Sequence, residues 1–212
     1  MTLRRRHFVR AAGSELHVLE VGPAERSFLP PVLLLHGISD THITWSKALE
    51  PLARRRRVIV PDLVGHGLSS RPDASYSLEF HAETIGALLD TLDLGEVDVV
   101  GHSYGGGVAQ WLLLSHRDRI RRMMLVASGG LGREVSPELR LAALGRVERV
   151  GQPFFSLGTR VGLAAAGGHF DPSETDDIAW MASREGSARA LSRTVADVID
   201  IRGQRRHFLE RA

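Results

Sequence analysis

Residues 101 to 105 read Gly-His-Ser-Tyr-Gly, with an apolar run, EVDVV (96–100), directly before them and a helix-like stretch, GGVAQWLLLSH, directly after. A serine hydroxyl is a weak nucleophile until a base takes its proton and the backbone presents it. A sharp strand-to-helix turn does the presenting. It lifts the side chain off the sheet and aims the first amides of the helix at the same point. Gly101 and Gly105 suit such a turn because it leaves no room for a Cβ on either side. The chemistry this pattern points to is acyl transfer through Ser103.

A turn of this kind needs a sheet beneath it. PVLLLHG (31–37) is a continuous apolar run that ends in His36-Gly37, as expected of a parallel strand covered on both faces. VIVPDLVGHG (58–67) supplies a second buried strand, stopped by Pro61 and Asp62, and MMLVAS (123–128) supplies another. Between them, helical spacing predicts a helix around Lys47–Ala53 and a crossover helix within Tyr76–Leu92, where Phe80, Ile85, Leu88, Leu89 and Leu92 recur. The N-terminal segment reads as two strands turning at Gly13-Ser14. Alternation of strand and helix argues for a mostly parallel α/β sheet with helices on both faces.

After Gly129 the pattern changes. Residues 129–168 are rich in glycine and alanine, and helical spacing recurs over 139–151 and again over 178–200. The expected organisation is a core over 1–128, a helical insertion over 129–203, and the start of a helix returning to the core over 204–212.

The whole-chain properties exclude several function classes. With 212 residues, a 43% hydrophobic fraction and a formal charge of +2, the chain suits one compact domain with no field-driven affinity for nucleic acid. Lys47 is its only lysine, so the basic balance is carried by arginine. The Arg54–Arg57 run is expected to favour the end of the preceding helix. Cysteine is absent, which removes disulfides, thiolate metal sites and a cysteine nucleophile. No apolar window approaches membrane-spanning length, and the expected location is the cytoplasm.

The elbow around Ser103, the His36-Gly37 strand end and the PDLVGHGLSS segment, in that order and spacing, resemble the α/β-hydrolase fold family, with residues 129–203 in the place of its helical cap. The ASGGLG run (127–132) is also similar to the subgroup that hydrolyses carbon–carbon bonds of ring-cleavage products. By position, the resemblance implies Ser103 as nucleophile and the backbone N–H groups of Ile38 and Tyr104 as the oxyanion hole. His36, Gly37, Gly101 and Gly105 would support that geometry, while His102 would be the variable residue of the elbow. Asp62 and His66 would fix the turn after their strand. Trp45, Trp111, Trp180, Phe154 and Phe155 are expected in the core or pocket wall.

The family orders its triad as serine, acid, histidine, with the last two after later strands. The resemblance therefore implies that the sheet lacks its last two strands, roughly 50–60 residues by average element lengths. The triad acid and histidine would then be absent from this chain. Neither His169 nor His207 lies in a post-strand turn, and Glu134 matches an alternative acid position. Strand 123–128 would be an exposed apolar edge open to association with a partner chain. Serine at the elbow, in place of aspartate, argues against dehalogenase or epoxide hydrolase chemistry. The expected substrate is a small apolar acyl compound (an ester, a lactone or a vinylogous diketone), and the chemistry needs no metal or organic cofactor. The competing expectation is a ligand-binding or scaffold protein that keeps the cleft without turnover.

Overall fold

The computed structural model describes residues 2–25, 27–135, 140, 157–161, 170–206 and 208. The sequence expectations for 139–151, Phe154, Phe155, His169 and His207 fall outside these residues or almost wholly so.

A hairpin opens the fold, β1 (Thr2–Ala11) and β2 (Ser14–Pro23), paired from Thr2↔Pro23 to Ala11↔Ser14. Its turn is Ala12-Gly13, one residue earlier than expected, and both residues have positive φ (47° and 75°). Two left-handed residues give the twist that a two-residue hairpin loop needs. The remaining strands are β3 (Val32–Leu35), β4 (Val58–Pro61), β5 (Val97–His102) and β6 (Ile120–Val126). They complete a six-stranded sheet in the order β1-β2-β4-β3-β5-β6. The pairs β4–β3, β3–β5 and β5–β6 are parallel, and the hairpin joins antiparallel through β2–β4.

Every residue of β3 and β4 is buried, which is why these strands read as unbroken apolar runs. Leu33, Leu35 and Ile59 face helices α2 (Leu78–Thr91) and α3 (Tyr104–Ser115), through Ile85, Leu88, Val108 and Leu112. Val32, Leu34, Val58 and Val60 pack on the other face against Leu49 and Ala53 of α1 (Ser46–Ala53). Helix α2 starts where Ser77 accepts the Phe80 amide at 3.2 Å, a side-chain cap for an otherwise unsatisfied donor. Of the Arg54–Arg57 run, Arg54 stands at the end of α1 as its C-terminal cap residue, while the last two arginines are engaged elsewhere. Arg56 pairs with Asp98 at 2.6 Å and Arg57 with Glu20 at 2.7 Å, so these charges tie the loop to sheet carboxylates.

At β6 one sheet face is left uncovered by the described residues. On β6 the exposed positions alternate, and Met124 is 62% exposed with Val126 at 40%.

Beyond the sheet, the periodic stretch expected over 178–200 is two helices, α4 (Pro172–Ala182) and α5 (Ser187–Val198), parted at Gly186 with φ 84°. Four arginines fasten them to the loop after β4. Arg71 donates to Ser187 Oγ (2.8 Å) and to the carbonyls of Gly67 (2.9 Å), Ser69 (2.8 Å) and Met181 (3.0 Å). Arg184, Arg189 and Arg193 donate to the carbonyls of Gly67, Arg71 and Ala74.

The segment after α5 differs from expectation. Instead of a helix beginning at 204, Ile199–Asp200 (β7) and Gly203–Gln204 (β8) form a small antiparallel hairpin. Asp200 Oδ1 accepts the Arg202 amide at 2.7 Å, and Gly203 takes φ 116°, a conformation only glycine adopts without strain. No helix among the described residues is long and apolar enough to cross a membrane.

Candidate functional site

The chain reverses direction across the sheet between β3 and β5: β3 leads through α1 to β4 on one side, and β5 leads through α3 to β6 on the other. In an open α/β sheet the carboxyl ends of the strands at such a switch leave a crevice where ligands bind. Gly37-Ile38 and Ser103-Tyr104 follow those two ends, which run in register at Leu35↔Gly101.

Ser103 sits between β5 and α3 with φ 52° and ψ −117°. For a residue with a Cβ this backbone stores about 1–3 kcal/mol. Its surroundings hold it there. The Ser103 amide donates to the Val126 carbonyl at 3.0 Å, and the Ser103 carbonyl accepts from the amides of Gly106 and Gly129, each at 3.0 Å. The glycines are required by close approach. A Cβ on Gly101 would stand 2.5 Å from the Gly105 carbonyl oxygen, and one on Gly105 would stand 2.5 Å from those of Leu35 and His36.

Gly37 lies against the same turn, since a Cβ there would be 3.3 Å from that of Ser103. The amides of Ile38 and Tyr104 have no acceptor among the described residues, leaving two donors at the mouth of the elbow. His36 braces this loop. Its Nδ1–H donates to the Gly37 carbonyl at 2.8 Å and its Nε2 accepts the Leu63 amide at 2.9 Å. Burial lowers its pKa, so the ring is neutral and its tautomer is dictated by these two partners. His102 is part-exposed, and its Nδ1 has no partner among the described residues.

Asp62 and His66 lie apart from the elbow. Asp62 is fully buried and accepts from His17 Nδ1 (2.9 Å), His42 Nδ1 (2.9 Å), the His42 amide (2.6 Å) and the Leu68 amide (2.9 Å). Burial would raise its pKa, but the hydrogen bonds from His17 and His42 outweigh it and hold the carboxyl below the usual carboxylate range. The ligand atoms of His17, His42 and Asp62 lie within 4.8 Å of one another. Both carboxylate oxygens are already engaged, and the group serves as a knot tying β2, the loop after β3 and the loop after β4. His66 Nδ1 donates to the Val64 carbonyl at 3.2 Å, and burial drives its pKa well down.

A cavity of about 220 Å³ opens over Ser103. Ile38, Tyr104, Leu78, Gly107 and Val198 line it, as do Glu134, Gln204 and Arg206. Among the described residues no histidine lines it. Arg206 is paired with Glu79 (2.9 Å) and Asp197 (3.0 Å) and lies over the Trp111 ring. Trp45 and Trp111 are core residues, while Trp180, 61% exposed, lines a separate surface pocket with Ile43 and Met181. Gln204 and Arg206 are the lining residues that sequence reasoning missed, because their segment read as helix. The Asp200-x-x-Gly203 spacing is the turn signal that marks it.

Comparison with known proteins gives a consistent result. The family model described as alpha/beta hydrolase fold matches residues 30–152. An uncharacterized protein of Mycobacterium tuberculosis is 37% identical over 195 residues, covering 86% of this chain and 57% of the relative. A 2-hydroxymuconate semialdehyde hydrolase of Pseudomonas sp. is 37% identical over 105 residues, 48% of this chain and 37% of that one. Among solved structures, the epoxide hydrolase CorEH superposes with a TM-score of 0.77 at 21% identity, covering 92% of this chain and 74% of that chain, a likeness of fold alone. The chain thus spans a little over half the length of its mycobacterial relative, 57%.

Proposed function

The chain belongs to the alpha/beta hydrolase fold family, and from that premise we propose that it carries the nucleophile and oxyanion-binding half of a serine hydrolase acting on an apolar ester, lactone or related carbonyl compound. In this reading Ser103 Oγ attacks the carbonyl carbon, and the carbonyl π pair moves onto oxygen. The N–H groups of Ile38 and Tyr104 hold the resulting oxyanion, each worth about 3 kcal/mol of barrier. Collapse expels the leaving group with a proton, and water then hydrolyses the acyl-serine. A histidine oriented by an acid is the usual proton carrier; Glu134, lining the same cavity, is the carboxylate available to orient one. Residues 129–203 would act as the cap over the acyl group, with Val198 from the cap and Leu78 from the core on the apolar wall of the cavity.

The observation that carries the proposal is the strained Ser103 backbone beside two amides without acceptors among the described residues. Its test is acylation. A fluorophosphonate should label the protein at Ser103, and p-nitrophenyl butyrate should be hydrolysed, with both lost in Ser103→Ala. Labelling that maps elsewhere, or hydrolysis that survives the substitution, rejects it.

A second reading, ligand capture without turnover, is favoured by the lack of any histidine lining the cavity among the described residues. It requires an inert protein that still binds an apolar carbonyl ligand by calorimetry, with affinity unchanged in Ser103→Ala.

A further inference from the structure

Gln110 is fully buried on α3, about two turns past Ser103. Its Nε2 faces three acceptors: the carbonyls of Gly106 (3.0 Å) and Gly129 (2.7 Å) and the hydroxyl of Ser128 (2.8 Å). That hydroxyl in turn donates to the Gly129 carbonyl at 2.7 Å. Two carbonyls fix which end of the amide points there, since an oxygen in that place would be repelled. The Oε1 end has no partner among the described residues. A polar side chain buried in an apolar helix face, with half its capacity unused, is costly. The loop after β6 is what it holds.

The loop matters because of what Gly129 does with its other polar group. Its amide donates to the Ser103 carbonyl at 3.0 Å. The Ser103 carbonyl and the Tyr104 N–H belong to one planar peptide unit and point in opposite directions. Anchoring that carbonyl therefore sets the direction of the Tyr104 N–H.

We infer that Gln110 is a positioning residue for the oxyanion site: through Ser128 and Gly129 it fixes the peptide plane whose N–H would bind the oxyanion. This deepens the hydrolase reading and rests on it for its catalytic consequence, while the mechanical linkage stands independently. Gly106 belongs to the same device, because any Cβ there would collide with the Ser128 hydroxyl.

The test uses two variants of the whole chain. Gln110→Met keeps length and burial but has no donor. It should lower the rate of ester turnover and of fluorophosphonate labelling about 10- to 100-fold, the scale of a weakened oxyanion donor. KM should move less than about threefold. The Gly129 amide should exchange with solvent faster, with β5 amides as the control for the fold. Gln110→Glu can donate when protonated but not when ionised, so its activity relative to wild type should fall as pH rises. A purely structural glutamine would give a lowered Tm with kcat, the pH ratio and Gly129 exchange all unchanged, and that result overturns the inference. If wild type neither labels nor turns over, the hydrolase reading fails by itself. Gln110 is then judged on exchange alone, and unaltered Gly129 and Tyr104 amides reject it.

Discussion

His81 makes a quantitative case about pH. It lies on α2, fully buried, with rings of Phe80, Tyr104, His66 and Tyr76 at centroid distances of 5.4, 5.6, 6.2 and 6.3 Å. Neither ring nitrogen has a partner among the described residues. Burial pushes its pKa down to about 3, with the nearby His36 acting in the same direction. In the unfolded chain the imidazole takes a proton near pH 6.5. The unfolded state therefore binds more protons between those values. The stability from the neutral ring is fully present above about pH 6.5 and is lost as pH falls, by about 1.4 kcal/mol per unit. Between pH 7 and pH 5 the loss from His81 alone comes to about 2 kcal/mol. The measurement is urea unfolding of wild type and His81→Leu at both pH values. Any packing change from leucine appears at both and cancels, as do the contributions of His36 and His66, whose pKa values burial also lowers. Wild type should lose about 2 kcal/mol more than the variant on acidification. Equal losses would show that His81 does not stay neutral in the folded state, and the reasoning from its isolation would be wrong.

Other expectations follow from the same geometry. Ser103→Gly removes the Cβ that makes φ 52° costly, so it should raise the unfolding free energy by about 1 kcal/mol while abolishing fluorophosphonate labelling. A destabilised variant would show that the serine backbone is not strained. Arg71→Met cuts the two hydrogen bonds by which Arg71 joins α4 and α5 to the loop after β4, and two more within that loop, and should speed amide exchange over 172–198 while leaving β3 and β5 protected. Uniform exchange across both regions would mean that the helices are held by other contacts. The exposed strand β6, at the edge of the sheet, is proposed as the place where a second copy docks. Met124→Lys should lower any oligomer fraction in sedimentation velocity, and an unchanged distribution counts against that edge.

Much of the sheet is legible in the sequence for a physical reason. Strands such as β3 and β4 bury both faces and so appear as unbroken apolar runs, whereas the strand order that opens the crevice between β3 and β5 comes from the structure. The family is legible because its motifs are short, ordered and tied to backbone demands such as the crowded Gly101 and Gly105. What escapes is whatever depends on partners distant in sequence. Two-residue strands at 199–204 carry no periodicity, so the clasp they make is hidden: Gln204 donates through its backbone amide to the Arg133 carbonyl (3.0 Å) and accepts the Gly130 amide (2.6 Å). The arginines after α1 read as helix-end charges because their carboxylates, Glu20 and Asp98, lie on other strands.

Gln110 shows the same limit from the inside. Read along α3 it is one polar residue in an apolar helix, with nothing nearby in sequence to explain it. Its acceptors at 128 and 129 come only from the far end of β6, and that loop is held a second time by Gln204. The backbone of Ser103 is thus braced from three directions: its carbonyl by its own helix through Gly106 and by the loop through Gly129, and its amide by β6 through Val126. A strained backbone persists only where its surroundings over-determine it. These three braces are that over-determination, and Gln110 stiffens the one brace that secondary structure does not supply.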